Sequence, residues 1–182
     1  HVCGVLILDT CTMRGGDARQ RIRSLVAARL PLLAPFRWRL IETPGGVGAP
    51  RWIEDLDFDL DRHVPLASLR APGSRHELEQ FVGMVAAIPL DRDRPLWEMH
   101  VIDGIVDDTI AGSVAVVTKL HHSFMDGGAG AEIMASLFDL KPDVDPPAPD
   151  DDWTPDQLPS QTRLLLDAAG TGLRRAGRIP AT

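Results

Sequence analysis

The sequence predicts an α/β domain built on a mixed sheet with helices packed against it. Three observations carry that prediction. Two strand-like runs, Leu96 to Val106 and Ile110 to Leu120, are separated only by a short turn at Asp107-Asp108, which suits an antiparallel pair. Two segments with apolar residues at helical spacing, after Asp17 and after Ser74, supply amphipathic helices to cover such a sheet. The strands and helices alternate loosely, and the short turn excludes a purely parallel sheet. With 182 residues, 44% apolar and 25% charged, the chain is long enough to bury a core.

Taken in order, Val2 to Leu8 reads as a buried strand, ended by Asp9-Thr10 and a polar turn through Gly16. Asp17 to Gln20 has the pattern of a capping box, and Ile22, Leu25, Val26 and Leu30 then fall on one helical stripe. Pro31 to Pro35 closes that helix. Phe36 to Leu40 alternates apolar with basic, as a half-exposed strand does. After a glycine-rich turn at Pro44 to Pro50, Arg51 to Phe58 resumes extended structure. Asp55 to Asp61 alternates acids with Leu56, Phe58 and Leu60, and reads as a solvated strand or loop. It lacks the glycine hinge of a calcium loop. Ser74 to Glu77 is a second capping box, Leu78, Phe81, Val82 and Val85 form the buried stripe of its helix, and Pro89 stops it.

After Leu140 the composition changes. Lys141 to Asp152 holds four prolines and five aspartates, which marks an extended acidic linker. The expected organisation is therefore a lobe over 1–140, a linker over 141–159, and the start of a crossover helix over 160–182. That last helix ends in Arg174, Arg175 and Arg178, cations that either complement its dipole or meet an anionic lipid surface.

The 19 basic and 26 acidic residues give a net charge of −7, which argues against a nucleic-acid-binding face. Cys3 and Cys11 show neither metal spacing nor a disulfide framework, as in a reducing compartment. No run of 18 apolar residues offers a membrane span. The chain opens on His1-Val2, so it reads as a fragment, and a cytoplasmic location is the expectation.

The chemistry concentrates in Leu120-His121-His122-Ser123-Phe124-Met125-Asp126-Gly127-Gly128, at a strand-to-helix corner. Strand alternation places Val114, Val116, Thr118, Leu120 and His122 on one face, and Ser113, Ala115, Val117, Lys119 and His121 on the other. Adjacent histidines then point apart and do not chelate one metal, and His1, His63, His76 and His100 show no ligand spacing to them. An imidazole is suited to accept a proton from an alcohol or thiol near neutral pH. His122, on the more apolar face, is the better candidate. Asp126 either orients a ring nitrogen or braces the loop. Gly127 and Gly128 allow a sharp turn. A histidine pair at a strand end is by itself commonly structural. A chance match to the full string His-His-x-x-x-Asp-Gly is on the order of one in a few thousand.

That string resembles the HHxxxDG motif of the CoA-dependent acyltransferase superfamily. The segment Pro89 to Met99, with its Pro95-Leu96-Trp97 triplet, resembles one branch, the bacterial wax ester synthase/diacylglycerol acyltransferases. His1 to Leu6 and Phe36 to Leu40 also look like that family's N-terminal half. The resemblance covers roughly residues 1–140. It implies one lobe of a two-lobed fold, with the active site in a tunnel between lobes and the second lobe outside this sequence.

It further implies transfer of a long acyl group from acyl-CoA, as co-substrate, to a diacylglycerol or a fatty alcohol, with no bound cofactor. His122 would be the general base, His121 its neighbour, Asp126 a mainly structural carboxylate, and Gly127 the residue that keeps the channel open. Pro95, Leu96 and Trp97 fit either turn-and-core packing or a substrate role. Peripheral contact with a membrane or lipid droplet is a further expectation. Two alternatives keep the motif: a condensation-type or polyketide-associated enzyme using carrier-bound thioesters, and a non-catalytic binding module.

Overall fold

The computed structural model describes residues 1–11, 17–46, 49–107, 110–124, 135–138 and 159–167. Its centre is a four-stranded mixed sheet in the order β1-β8-β5-β4. These strands are β1 (Val2–Leu8), β4 (Leu66–Ser68), β5 (Trp97–Asp103) and β8 (Val114–Leu120). β8 runs antiparallel to both β1 and β5, while β4 is parallel to β5. Two small hairpins stand apart, β2 (Trp38–Ile41) with β3 (Arg51–Glu54), and β6 (Val106–Asp107) with β7 (Ile110–Ala111). The mixed sheet expected from the sequence is present.

Among the described residues, one long helix lies on each face. In α1 (Ala18–Arg29), Ile22 and Val26 pack with Leu30 against Trp97, Met99, Val101, Val114, Val116 and Leu120. In α3 (Arg75–Ala87), Leu78 and Val85 pack on the opposite face against Ile102, Ala115 and Val117. The pleat explains the division, because successive side chains of one strand point to opposite faces. Each fully buried aliphatic side chain contributes about 1.5–3 kcal/mol. All seven residues of β8 are buried, so this strand is the spine of the domain.

The helix starts follow their capping residues. Asp17 accepts the backbone N–H of Arg19 at 3.0 Å. Ser74 forms the complete reciprocal box, its hydroxyl taking the His76 N–H while Glu77 accepts the Ser74 N–H at 2.8 Å. Just before it, Gly73 has φ of 74° and its absent Cβ would lie 2.1 Å from the Gly104 carbonyl oxygen. A side chain there would collide with backbone, and only glycine tolerates that approach.

Several expectations are corrected. β1 is the edge of the described sheet rather than a buried strand: Val2, Val5 and Ile7 are exposed, and among the described strands β1 pairs with β8 alone. The β5 strand ends at Asp103 and not Val106, since Gly104 turns with φ of 73°. Phe36 lies in a 3-10 turn (Ala34–Arg37), and the extended run begins at Trp38, with Pro35 fixing the turn. Extended structure after Arg51 ends at Glu54. The acidic segment instead leads into a short helix, α2 (Leu60–His63), capped by Asp59, whose carboxylate takes the Asp61 N–H at 3.0 Å. Asp55 is buried beside Arg39 at 3.5 Å. The acidic linker, most of its flanks and residues 168–182 lie outside the described residues. Residues 161–167 are helical, with Leu164 buried and Asp167 paired to Arg51 of β3 at 2.6 Å.

Candidate active site

The candidate site begins where the β8 ladder stops. Leu120 is the last paired residue, facing Val2 on one side and Trp97 on the other. His121 has left the ladder, but its backbone N–H still donates to the Leu96 carbonyl at 3.0 Å. His122 then opens a 3-10 turn (His122–Phe124). The strand alternation that would seat His122 on the apolar face therefore ends two residues too early. His122 is exposed, and among the described residues none is hydrogen-bonded to its ring.

The two histidines differ in how their nitrogens are committed. His121 is half-buried, and its Nδ1 accepts the Ser123 backbone N–H at 3.2 Å. The Ser123 hydroxyl lies 2.7 Å from the same nitrogen. An acceptor Nδ1 places the ring proton of neutral His121 on Nε2. Burial lowers the His121 pKa from the usual imidazole value, with the positive charge of Arg92 acting in the same direction. His121 is thus tied to its own turn through one face of its ring, whereas His122 is open.

The triplet Pro95-Leu96-Trp97 lies directly beside the corner. All three residues are buried. Pro95 bridges to Arg39 of β2, and Leu96 supplies the carbonyl that holds His121. The Trp97 indole N–H donates to the Phe36 carbonyl at 2.8 Å, and its ring stacks on His63 with centroids 4.5 Å apart. His63 continues the stack to Phe58 at 5.2 Å, and its Nδ1 lies 2.8 Å from the Trp97 carbonyl oxygen. Burial pushes the His63 pKa down. The triplet is a packed support whose main chain touches the motif.

Residue-by-residue reading of the sequence missed a polar row on the α3 face of the sheet. Lys119 is fully buried, and its Nζ donates to the Val85 carbonyl at 2.7 Å and to the Ile88 carbonyl. Glu98 stands opposite Lys119 in the ladder, and His100 reaches the Glu98 carboxylate at 2.9 Å. That hydrogen bond is the main cause of the lowered Glu98 pKa, with Lys119 and His63 assisting. One signal was available in the sequence: a lysine at an inward-facing register of an otherwise apolar strand. On the other face Thr118 is buried, its hydroxyl 3.3 Å from the Gly4 carbonyl.

Hollows open on the surface of the described residues. A polar one of about 320 Å³ is lined by Arg39, Glu42, Arg92 and Asp93, in which the acids balance the arginines. An apolar one of about 400 Å³ lies between β1 and α3, lined by Val5, Ile7, Leu78, Val82 and Ile105. Among the described residues no group of three or more His, Cys, Asp or Glu is placed to hold a metal ion. No described helix is long and apolar enough to cross a membrane. Asp126 and Gly127 lie outside the described residues.

A histidine pair at the end of a buried central strand, its first member held by the Leu96 carbonyl of a Pro-Leu-Trp segment, can be compared with known proteins. The wax ester synthase/diacylglycerol acyltransferase catalytic domain family matches residues 1–182. The chain belongs to that family. A Mycobacterium tuberculosis relative named as a diacylglycerol O-acyltransferase is 37% identical over 182 residues, all of this chain and 37% of its own length. A shorter relative from the same species, also named as a diacylglycerol O-acyltransferase, is 36% identical over 94% of this chain and 62% of its own length. The chain thus spans less than two thirds of each of these proteins.

Among solved structures, the wax ester synthase/diacylglycerol acyltransferase from Marinobacter aquaeolei VT8 superposes with a TM-score of 0.64. It is 27% identical over 99% of this chain and 42% of its own. The starter condensation domain of rhizomide synthetase RzmA shares the fold alone, with a TM-score of 0.54 and 13% identity over 74% of this chain and 30% of its own. In this family the mixed α/β unit is one lobe of a two-lobed acyltransferase fold, as the sequence resemblance implied.

Proposed function

We propose that the protein containing this lobe is an O-acyltransferase that moves a long-chain acyl group from acyl-CoA to a diacylglycerol or a fatty alcohol, with His122 as general base. The observation that carries the reading is the contrast at the strand end. His121 is engaged by Ser123, while beside it His122 presents an exposed imidazole that no described residue hydrogen-bonds. Family membership across the whole chain supports the reaction class.

In the proposed mechanism, His122 removes the acceptor hydroxyl proton as its oxygen attacks the thioester carbonyl. The C–S bond of the tetrahedral oxyanion then breaks, and the departing CoA thiolate takes the proton from the imidazolium. Atoms and charge balance without an acyl-enzyme. A thioester is already activated, so positioning with one base suffices. Neither Cys3 nor Cys11 is a disulfide partner, and the mechanism uses neither. Ser123 hydrogen-bonds His121 and is assigned to shaping the turn. Asp126 and Gly127 retain the roles that the family resemblance gives them, loop brace and open channel. The second lobe would complete the tunnel, and any contact with a membrane or lipid droplet belongs to the whole protein.

The test gives the full-length protein palmitoyl-CoA with hexadecanol or with a diacylglycerol and measures free thiol. Acceptor-dependent thiol with at least one of them is the expected result. No such thiol with either would reject the lipid-acyltransferase reading.

A further inference from the structure

We propose that Lys119 is a positioning residue of the catalytic corner, anchoring the end of β8 to the C-terminus of α3. The last carbonyls of a helix have no partner within it and carry its partial negative charge. At the C-terminus of α3, the Val85 carbonyl and that of Ile88, the residue that follows the helix, are met by Lys119 Nζ, from the neighbouring strand rather than from the helix's own sequence. An ammonium is an unusual residue to enclose fully, and Lys119 is 0% exposed. A leucine or methionine would fill the volume on this face, where Ala115 and Val117 do the packing.

Its place in the strand gives the anchor a function. Lys119 is the penultimate residue of the ladder, paired with Cys3 on one side and Glu98 on the other. Beyond Leu120, among the described residues, the backbone is tied by the His121 N–H to the Leu96 carbonyl. The histidine corner therefore has two supports. Leu96 fixes it to β5, and Lys119 fixes the strand end to the helix behind it.

The inference rests on the acyl-transfer reading for its kinetic arm. The full-length protein is compared with Lys119→Met, which keeps length without donors, Lys119→Gln, which keeps a donor, and Ile102→Val, a buried control at the opposite end of the β5–β8 ladder. Amide exchange is followed in the segment around His121, and kcat and KM for palmitoyl-CoA are measured on folded protein below its melting temperature. Lys119→Met should speed exchange at His121 and lower kcat about 10–100-fold with KM little changed, the scale of a ~1 Å misplacement at a reacting centre. Lys119→Gln should fall between it and wild type, and carries the test if the methionine variant does not fold. Ile102→Val should lower the melting temperature and leave kcat unchanged. Unchanged exchange at His121, or a kcat per folded molecule equal to wild type, would overturn the proposal. Absence of thiol release by wild type would defeat the acyl-transfer reading alone, leaving the exchange arm to decide the anchor.

Discussion

Within ten residues the chain passes from its most enclosed element to one of its most open. Val114–Leu120 is buried at every position, between two helices and two strands. His121 is half-buried, and His122 and Ser123 are exposed. Both stretches are built from the same strand direction, so the difference comes from where the ladder loses its partners. A rigid strand can deliver a reactive group with precision only if the group itself escapes the packing, and the end of a central strand satisfies both needs. The support around it is costly and specific: a stacked Trp97-His63 pair, a triplet main chain that binds His121, and a buried lysine.

That contrast can be broken at the support before it is tested at the tip. Trp97→Ala should have the largest effect on folding, about 3–5 kcal/mol, because it removes a ring that is 1% exposed together with the Phe36 hydrogen bond. Chemical denaturation would read the loss, and a change below ~1 kcal/mol would deny Trp97 its place as a support. Ser74→Ala should cost less, about 1 kcal/mol, by removing one half of the capping box of α3. A melting curve identical to wild type would show that the box is dispensable.

The smallest effect concerns pH. His63 has a depressed pKa in the fold, so the unfolded chain binds its proton first as pH falls. Stability is then highest above the ordinary imidazole value near 6.5 and declines as pH drops from there towards the folded value. His63→Phe, whose ring can stay in the stack but cannot titrate, should flatten melting temperature between neutral and mildly acidic pH. Equal slopes for the two proteins would place the pH dependence elsewhere.

Much of this was legible in the residues, and the limits have physical causes. The antiparallel β5–β8 pair follows from two strand patterns with a short connection, and the Ser74 helix from a local capping sequence. Both are short-range. The exposure of β1 could not be read, because Val2 to Leu8 has a buried strand's composition and only the sheet order makes it an edge. The same holds for His122. Alternation predicts a face only while the ladder continues, and the point where it stops depends on Leu96, a partner distant in sequence. Lys119 stood in plain view but its acceptors, Val85 and Ile88, come from another element. The HHxxxDG string identified the corner and the family, while Asp126 and Gly127 lie outside the described residues.

The central claim is that the exposed tip carries chemistry and the buried strand carries stability. The most direct measurement is acceptor-dependent thiol release by full-length His122→Ala, taken with its melting curve. The account predicts a fall of about 10²–10⁴-fold in turnover, the range for loss of a general base, with the melting temperature unchanged. Turnover near wild type in a folded His122→Ala protein would contradict it.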